Sequence, residues 1–211
     1  LYYRIHQSPA PQTDEINFRV PADYIDAGTI AIASAVTGGE VELNGIQNEE
    51  FSPIQHIFER FGLAFEHTSP DSLKVRTSEL NNPSKITAGL WPSFPTDLVS
   101  LAIVLATQGN GLCLIHDWMY ESRMFFIDKV VRMGANITMC DPHRVLVQGP
   151  SRLKGTSLES PDIRAGMALV VAGLCAEGVT TIEHAEIIQR GYENVATRLS
   201  SIGAEISEKI D

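Results

Sequence analysis

The chain has 211 residues, longer than most single domains and short for two, so length alone leaves the domain count open. With 44% hydrophobic and 20% charged residues it carries enough apolar material for a sizeable core, which excludes a disordered chain. Its 16 Lys and Arg against 26 Asp and Glu give a net charge of -10, which disfavours a broad nucleic-acid face or an anionic membrane surface and leaves small anions possible only where arginines converge.

The opening stretch LYYRIHQSPAPQTDEINF has neither the basic region nor the apolar core of a signal peptide. No run approaches the roughly 18 to 20 apolar residues of a membrane span, so a cytoplasmic protein without membrane contact is expected. Beginning with Leu rather than Met, the chain reads as a fragment or a processed product. Asp26 then stands before AGTIAIASAV, a small-residue run apolar round much of its circumference, which predicts a buried helix closed by Gly38 and Gly39 and followed by the strand EVELNG. An amphipathic helix ends at Gly62 in FERFGLAFE, where a strand begins, and LKVR supplies a further strand.

The same order follows twice more. Asp97 precedes LVSLAIVLAT, then come Gly109 and Gly111, the strand GLCLIH, a second helix ending at Gly134 in VVRMGANIT, and the strand RVLVQG. Asp162 precedes IRAGMALVVAGLCA, then come Gly178, the strand VTTIEH and a helix ending at Gly203 in LSSIGAEIS. Glycine is expected just past a last helical turn, because it enters the left-handed region without steric penalty. The three helix-ending glycines stand 72 (62 to 134) and 69 (134 to 203) residues apart, a period near 70. Three units at about 18-80, 85-150 and 155-211 are therefore expected, each with two helices and about three to four strands. Repeats of this size must bury their apolar faces against one another, which predicts one α/β (α+β) domain.

Cys113, Cys140 and Cys175 all lie in apolar runs without CxxC spacing and read as buried thiols. The histidines show no HExxH or other ligand spacing, so neither a metal nor a cofactor is expected. Two sets of residues recur at equivalent places. Asp26, Asp97 and Asp162 each open a buried helix, where an N-cap is the ordinary role of an aspartate. Arg123 and Arg190 lie 11 (123 to 134) and 13 (190 to 203) residues before their glycines, and Arg164 follows Asp162 by two. Arginine at a helix N-terminus runs against the helix dipole, and a local rule broken at equivalent places points to a site for a small anion carrying carboxylate or phosphate. Pairing with exposed carboxylates, plentiful in an acidic chain, is the other reading, and spacing leaves both open.

The segments VPADYIDAGT (20 to 29), FPTDL (94 to 98), YESRMFFIDKVVRMGANI (120 to 137), PDIRAGMALVVAGLCAEGVTTI (161 to 182) and IIQRGYENVATRLSSIGAEI (187 to 206) resemble the enolpyruvyl transferase family. The RGYE and MGA blocks are more similar to its UDP-N-acetylglucosamine 1-carboxyvinyltransferases than to its 3-phosphoshikimate 1-carboxyvinyltransferases. The likeness is collinear from about residue 18 onward. It implies an inside-out α/β barrel domain of three repeated units, one of two such domains with the active site between them, and so a partner N-terminal domain absent from this chain. It implies transfer of the enolpyruvyl group from phosphoenolpyruvate to the 3-hydroxyl of UDP-N-acetylglucosamine, the first committed step of peptidoglycan synthesis. Transfer to shikimate-3-phosphate, and a non-catalytic binding module of the same fold, are the alternatives.

By the same resemblance Asp97 would contact the sugar hydroxyl and take its proton, and the Met119 backbone would contact the same substrate. Arg123 and Arg164 would hold the phosphoenolpyruvate carboxylate, Arg190 would lie near its phosphate, and Asp162 would take part in proton transfer. The family's E-N-R is Glu121-Ser122-Arg123 here, and the aspartate usual before R-G-Y-E is Gln189. The family's lysine and asparagine pair, and its loop with a reactive cysteine or aspartate and an arginine, have no counterpart in this sequence. The chain alone is therefore expected to be inactive.

Overall fold

The computed structural model describes residues 20-209 together with Arg4. Residues 18 and 19 of the first expected unit and 210 and 211 of the third lie outside the described residues. The elements run α1 (Tyr24–Thr37), β1 (Glu40–Asn44), α2 (Asn48–Glu59), β2 (Leu63–Ser69) and β3 (Ser72–Thr77). They continue with β4 (Lys85–Thr87), α3 (Val99–Gln108), β5 (Gly111–His116), α4 (Ile127–Arg132), β6 (Asn136–Asp141) and β7 (Arg144–Gly149). The last are β8 (Ser157–Glu159), α5 (Ile163–Leu174), β9 (Thr181–Glu183) and α6 (Val195–Ser201). Short 3-10 turns cover Thr96–Leu98 before α3 and Ala185–Arg190 before α6.

The expected apolar runs become α1, α3 and α5, which touch one another in pairs while each packs on its own sheet. Every residue of α3 from Val99 to Thr107 is buried. Each fully buried Leu, Ile or Val there contributes about 1.5 to 3 kcal/mol relative to exposure, so this all-round apolar helix is stable only at the centre. Its polar groups are answered within the helix where they can be: Thr107 Oγ1 donates to the Val104 carbonyl at 2.6 Å.

The sheets have strand orders β1-β3-β2, β4-β5-β7-β6 and β8-β9. β4 with β5 and β8 with β9 are parallel, while the hairpins β2-β3 and β6-β7 and the pairs β1-β3 and β5-β7 are antiparallel. Register follows the two-residue period, so that Cys113 opposite Val147 and Ile115 opposite Val145 turn inward together. Gly62, Gly134 and Gly203 all have positive φ (96°, 103° or 106°), as the helix endings require.

Four expectations need correction. The cap of α1 is Asp23, whose carboxylate accepts from Ile25 and Asp26 amides, and Asp26 lies in the first turn. The residues AEIS after Gly203 form no strand, and the third stretch holds two described strands rather than three or four. In the second sheet β7 lies between β5 and β6, whereas no described strand lies between β9 and residues 204-206; a cleft of about 630 Å³ separates them, and an unpaired segment has no ladder to join. Cys140 is exposed, at the irregularity of β6 between Met139 and Asp141, where the alternation of faces breaks. Arg123 and Arg190 are not at helix N-termini: Arg123 lies in the turns before α4, and Arg190 ends the 3-10 turn before α6. The dipole argument therefore fails for both, and only Arg164, in the first turn of α5, meets it.

Candidate active site

Asp97 sits in the tight turn ahead of α3, held by buried Phe94 and Leu98 on either side of Thr96 and Asp97. Phe94 packs edge-on against Phe58, with ring centroids 6.1 Å apart, so the turn is anchored in the core. Arg123 belongs to the turns between β5 and α4, where its neighbour Met124 and then Phe126 and Ile127 are buried. Arg164 projects from the first turn of α5, whose cap is Asp162; one carboxylate oxygen of Asp162 accepts from the Arg164 and Ala165 amides at 2.8 and 2.9 Å.

These three elements converge on one carboxylate. Asp97 Oδ1 accepts from Arg123 Nη2 at 3.1 Å, and Asp97 Oδ2 accepts from Arg164 Nε at 3.1 Å and Nη2 at 2.9 Å. Arg123 is only 8% exposed, stacks over the Tyr120 ring at 4.6 Å, and has a second carboxylate, Asp117, 3.8 Å from its Nε. Arg164 lies over the Tyr192 ring at 5.2 Å. Burial opposes the Arg164 charge, but Tyr192 and Asp97 outweigh it and hold the guanidinium above its ordinary range. Among the described residues Arg123 Nε and Arg164 Nη1 are buried donors with no hydrogen-bond acceptor. Two guanidiniums with unspent donors, balanced by partly exposed Asp97 and by buried Asp117, can take a carboxylate or phosphate where the partly exposed partner gives way.

The structure thus brings Asp97, Arg123 and Arg164 into direct contact. Asp162 joins them through the chain, as the cap two residues before Arg164. Met119 joins through its amide, which donates to Asp117 Oδ1 at 2.9 Å. The Arg190 side chain is exposed and makes none of these contacts. Its neighbour Gly191 passes against α5 so closely that an added Cβ would stand 2.7 Å from Ile163 Cγ2 and 3.6 Å from Arg164 Nη1. Glycine is required there by packing, which sets the backbone next to Arg190 against the first turn of α5.

Sequence reasoning missed Asp117, Thr96, Tyr120 and Tyr192. The one signal available was a carboxylate directly after the apolar strand GLCLIH, an unusual place for a charge that the structure buries completely. Among the described residues no helix is long and apolar enough to cross a membrane.

Comparison with known proteins bears on the family and the fold. The family model described as EPSP synthase (3-phosphoshikimate 1-carboxyvinyltransferase) matches residues 3-199. A UDP-N-acetylglucosamine 1-carboxyvinyltransferase of Borrelia garinii subsp. bavariensis is 46% identical over 198 residues, covering 90% of this chain and 46% of the relative. One from Bradyrhizobium diazoefficiens is 42% identical over 199 residues, covering 91% and 46%. Among solved structures, the enolpyruvyl transferase NikO from Streptomyces tendae superposes with a TM-score of 0.80 at 23% identity, over 89% of this chain and 44% of its own. EPSP synthase from Acinetobacter baumannii gives 0.65 at 19%, over 90% and 48%; at these identities the two structures speak for the fold. The chain spans about half the length of the relatives it matches.

Proposed function

The chain belongs to the EPSP synthase (3-phosphoshikimate 1-carboxyvinyltransferase) family, and on that premise we propose that it is one half of an enzyme transferring the enolpyruvyl group of phosphoenolpyruvate to the 3-hydroxyl of UDP-N-acetylglucosamine. The relatives at 42% and 46% identity carry that activity in their names, which favours this acceptor over shikimate-3-phosphate. The observation that carries the reading is the single carboxylate of Asp97 held between the guanidiniums of Arg123 and Arg164.

The reaction asks for a base at the attacking hydroxyl, a proton donor to the methylene carbon and fixed positive charge beside the developing anionic centre. Asp97 takes the first part, accepting the sugar hydroxyl proton as oxygen bonds to the central carbon of phosphoenolpyruvate and a proton adds to its methylene carbon; loss of a proton from the resulting methyl group then restores the double bond as the bond from the central carbon to the phosphate oxygen breaks and phosphate leaves. Arg123 and Arg164 hold the carboxylate of that substrate, and Arg190 reaches its phosphate from the edge of the cluster. Asp162 serves proton transfer with the carboxylate oxygen that its cap bonds leave over. The Met119 backbone contacts the nucleotide sugar. In this reading the elements form three repeated units of one inside-out α/β barrel domain, and the partner is the other half of a protein of its relatives' length. In the same reading the enzyme is cytoplasmic and acts at the first committed step of peptidoglycan synthesis.

The test is phosphate release by the whole protein with each acceptor. Release with UDP-N-acetylglucosamine and none with shikimate-3-phosphate is expected; the reverse would overturn the choice of acceptor, and release with neither would overturn the enzyme reading.

A further inference from the structure

Asp117 is a carboxylate with no exposed surface, standing directly after β5, and the proposed chemistry gives it no part. Burying a charge carries a large desolvation cost unless every lone pair is answered, so its partners show what it serves. Its Oδ2 accepts from the Thr96 hydroxyl and faces Arg123 Nε at 3.8 Å, and its Oδ1 accepts from the Met119 amide at 2.9 Å. Thr96 precedes Asp97 in the chain, so one buried carboxylate is hydrogen-bonded to the neighbour of the base and to the backbone expected to meet the sugar, and stands as counterion, without a hydrogen bond, beside the guanidinium expected to meet the anion. The backbone of Asp117 is fixed in turn by the β6-β7 hairpin. Its amide donates to the His143 carbonyl at 2.9 Å, and its carbonyl accepts from His143 Nδ1 at 2.7 Å. A carbonyl can only accept, so His143 carries its proton on Nδ1 there.

We infer that Asp117 is a positioning residue, a fixed counterion that sets the distance between Asp97 and Arg123 and holds the Arg123 fork toward the anion, with His143 as its brace. The inference rests on the function proposed above. Asp97 is 38% exposed and Asp117 fully buried, so Asp117 is the partner that Arg123 keeps whatever Asp97 binds. The rival is a buried turn-former of purely structural worth, its Oδ1 closing the turn over Met119.

The two part in a double-mutant cycle in the whole protein, with steady-state kinetics for phosphoenolpyruvate and UDP-N-acetylglucosamine. Asp117→Asn keeps shape and the Met119 contact and removes the charge. It is expected to raise KM for phosphoenolpyruvate about ten-fold, with a smaller change for the nucleotide sugar, and to change it less than about two-fold when Arg123 is already Lys. An equal effect in both backgrounds would mark a general structural loss and overturn the inference. Should Asp117→Asn fail to fold, His143→Ala decides: it is expected to raise the same KM about three-fold in the parent and not in Arg123→Lys, and an unchanged KM would overturn the inference. Arg123→Lys with parental kinetics would remove the proposed anion site and this inference together, whereas a damaged Arg123→Lys beside a parental Asp117→Asn would overturn this inference alone.

Discussion

Tyr192 and Thr29, 163 residues apart in sequence, share a buried hydrogen bond of 3.1 Å whose direction is fixed. The single Thr29 hydroxyl proton goes to the Ile25 carbonyl at 2.8 Å, so Tyr192 is the donor. Burial pushes the Tyr192 phenol above its ordinary range, against the pull of Arg164, and keeps it protonated. The bond ties the segment after Arg190 to α1, with the Tyr192 ring under the Arg164 guanidinium.

Tyr192→Phe removes this donor and keeps the ring. A loss of about 1 kcal/mol in stability is expected, a fall of roughly 2 to 4 °C in Tm for a chain of this size, with Arg164 still stacked. Thermal melts of the two proteins check it, and an unchanged Tm would mean that the bond contributes nothing net.

Thiol chemistry offers a second check on burial. Desolvation pushes Cys113 up to about 12 and Cys175 up to about 11, while Cys140 is exposed. At pH 8 the thiolate fraction is about one in ten thousand for Cys113 and about one in a thousand for Cys175, so a disulfide reagent should label Cys140 first and Cys113 last. Both folded values are raised above the ordinary 9.0, so the folded state binds these protons more tightly than the unfolded chain. Their stabilisation is full below about pH 9 and is lost as pH rises toward 11 and 12. Denaturant midpoints that stay level from pH 9 to 11 would contradict this.

How much of this was legible in sequence depended on whether a signal was local. The runs AGTIAIASAV, LVSLAIVLAT and IRAGMALVVAGLCA are apolar on too many sides to sit anywhere but the centre, and they became α1, α3 and α5. The segment ADYID offers two aspartates three residues apart, and only the backbone turn at Asp23 decides which one caps α1. The AEIS segment has strand composition, but a strand exists by its partner, and pairing is not written in the segment itself. Sequence and resemblance point to Arg123 and Arg164 as parts of one anion site and to Asp97 as a base, while the meeting of both guanidiniums on the Asp97 carboxylate, and Asp117 behind them, comes from packing among segments 20 to 67 residues apart (97 to 117, 97 to 164).

The 211-residue chain by itself is expected to release no phosphate from phosphoenolpyruvate and UDP-N-acetylglucosamine. It supplies the aspartates and arginines, but the resemblance places a lysine and a reactive loop in sequence outside it, and the relatives are about twice as long. Phosphate release by the purified chain, above that of an Asp97→Asn control, would refute this.

The arginine series tests the site most sharply, because the structure separates what each residue does for stability from what it is proposed to do for the reaction. An arginine opposed to a helix dipole could be removed with no loss of stability, but Arg123 is buried between two carboxylates, Asp97 and Asp117. Arg123→Ala strands the fully buried Asp117 without its cation, a loss of about 3 to 5 kcal/mol, so its lost activity would be ambiguous. Arg123→Lys keeps the charge and loses the planar fork, and is the fairer variant. Arg164→Ala leaves Asp97 partly exposed and still bonded to Arg123, so a loss of no more than about 1 to 2 kcal/mol is expected. Arg190→Ala removes an exposed side chain with no ion pair among the described residues and should stay within about 0.5 kcal/mol of the parent. If the three hold phosphoenolpyruvate, each loses a charge-assisted contact of about 1.5 to 3 kcal/mol, and kcat/KM in the whole protein falls by about ten-fold to a hundred-fold or more. Arg190 is the decisive member: unchanged Tm with a large fall in kcat/KM supports the phosphate role, and unchanged Tm with unchanged kcat/KM ends it.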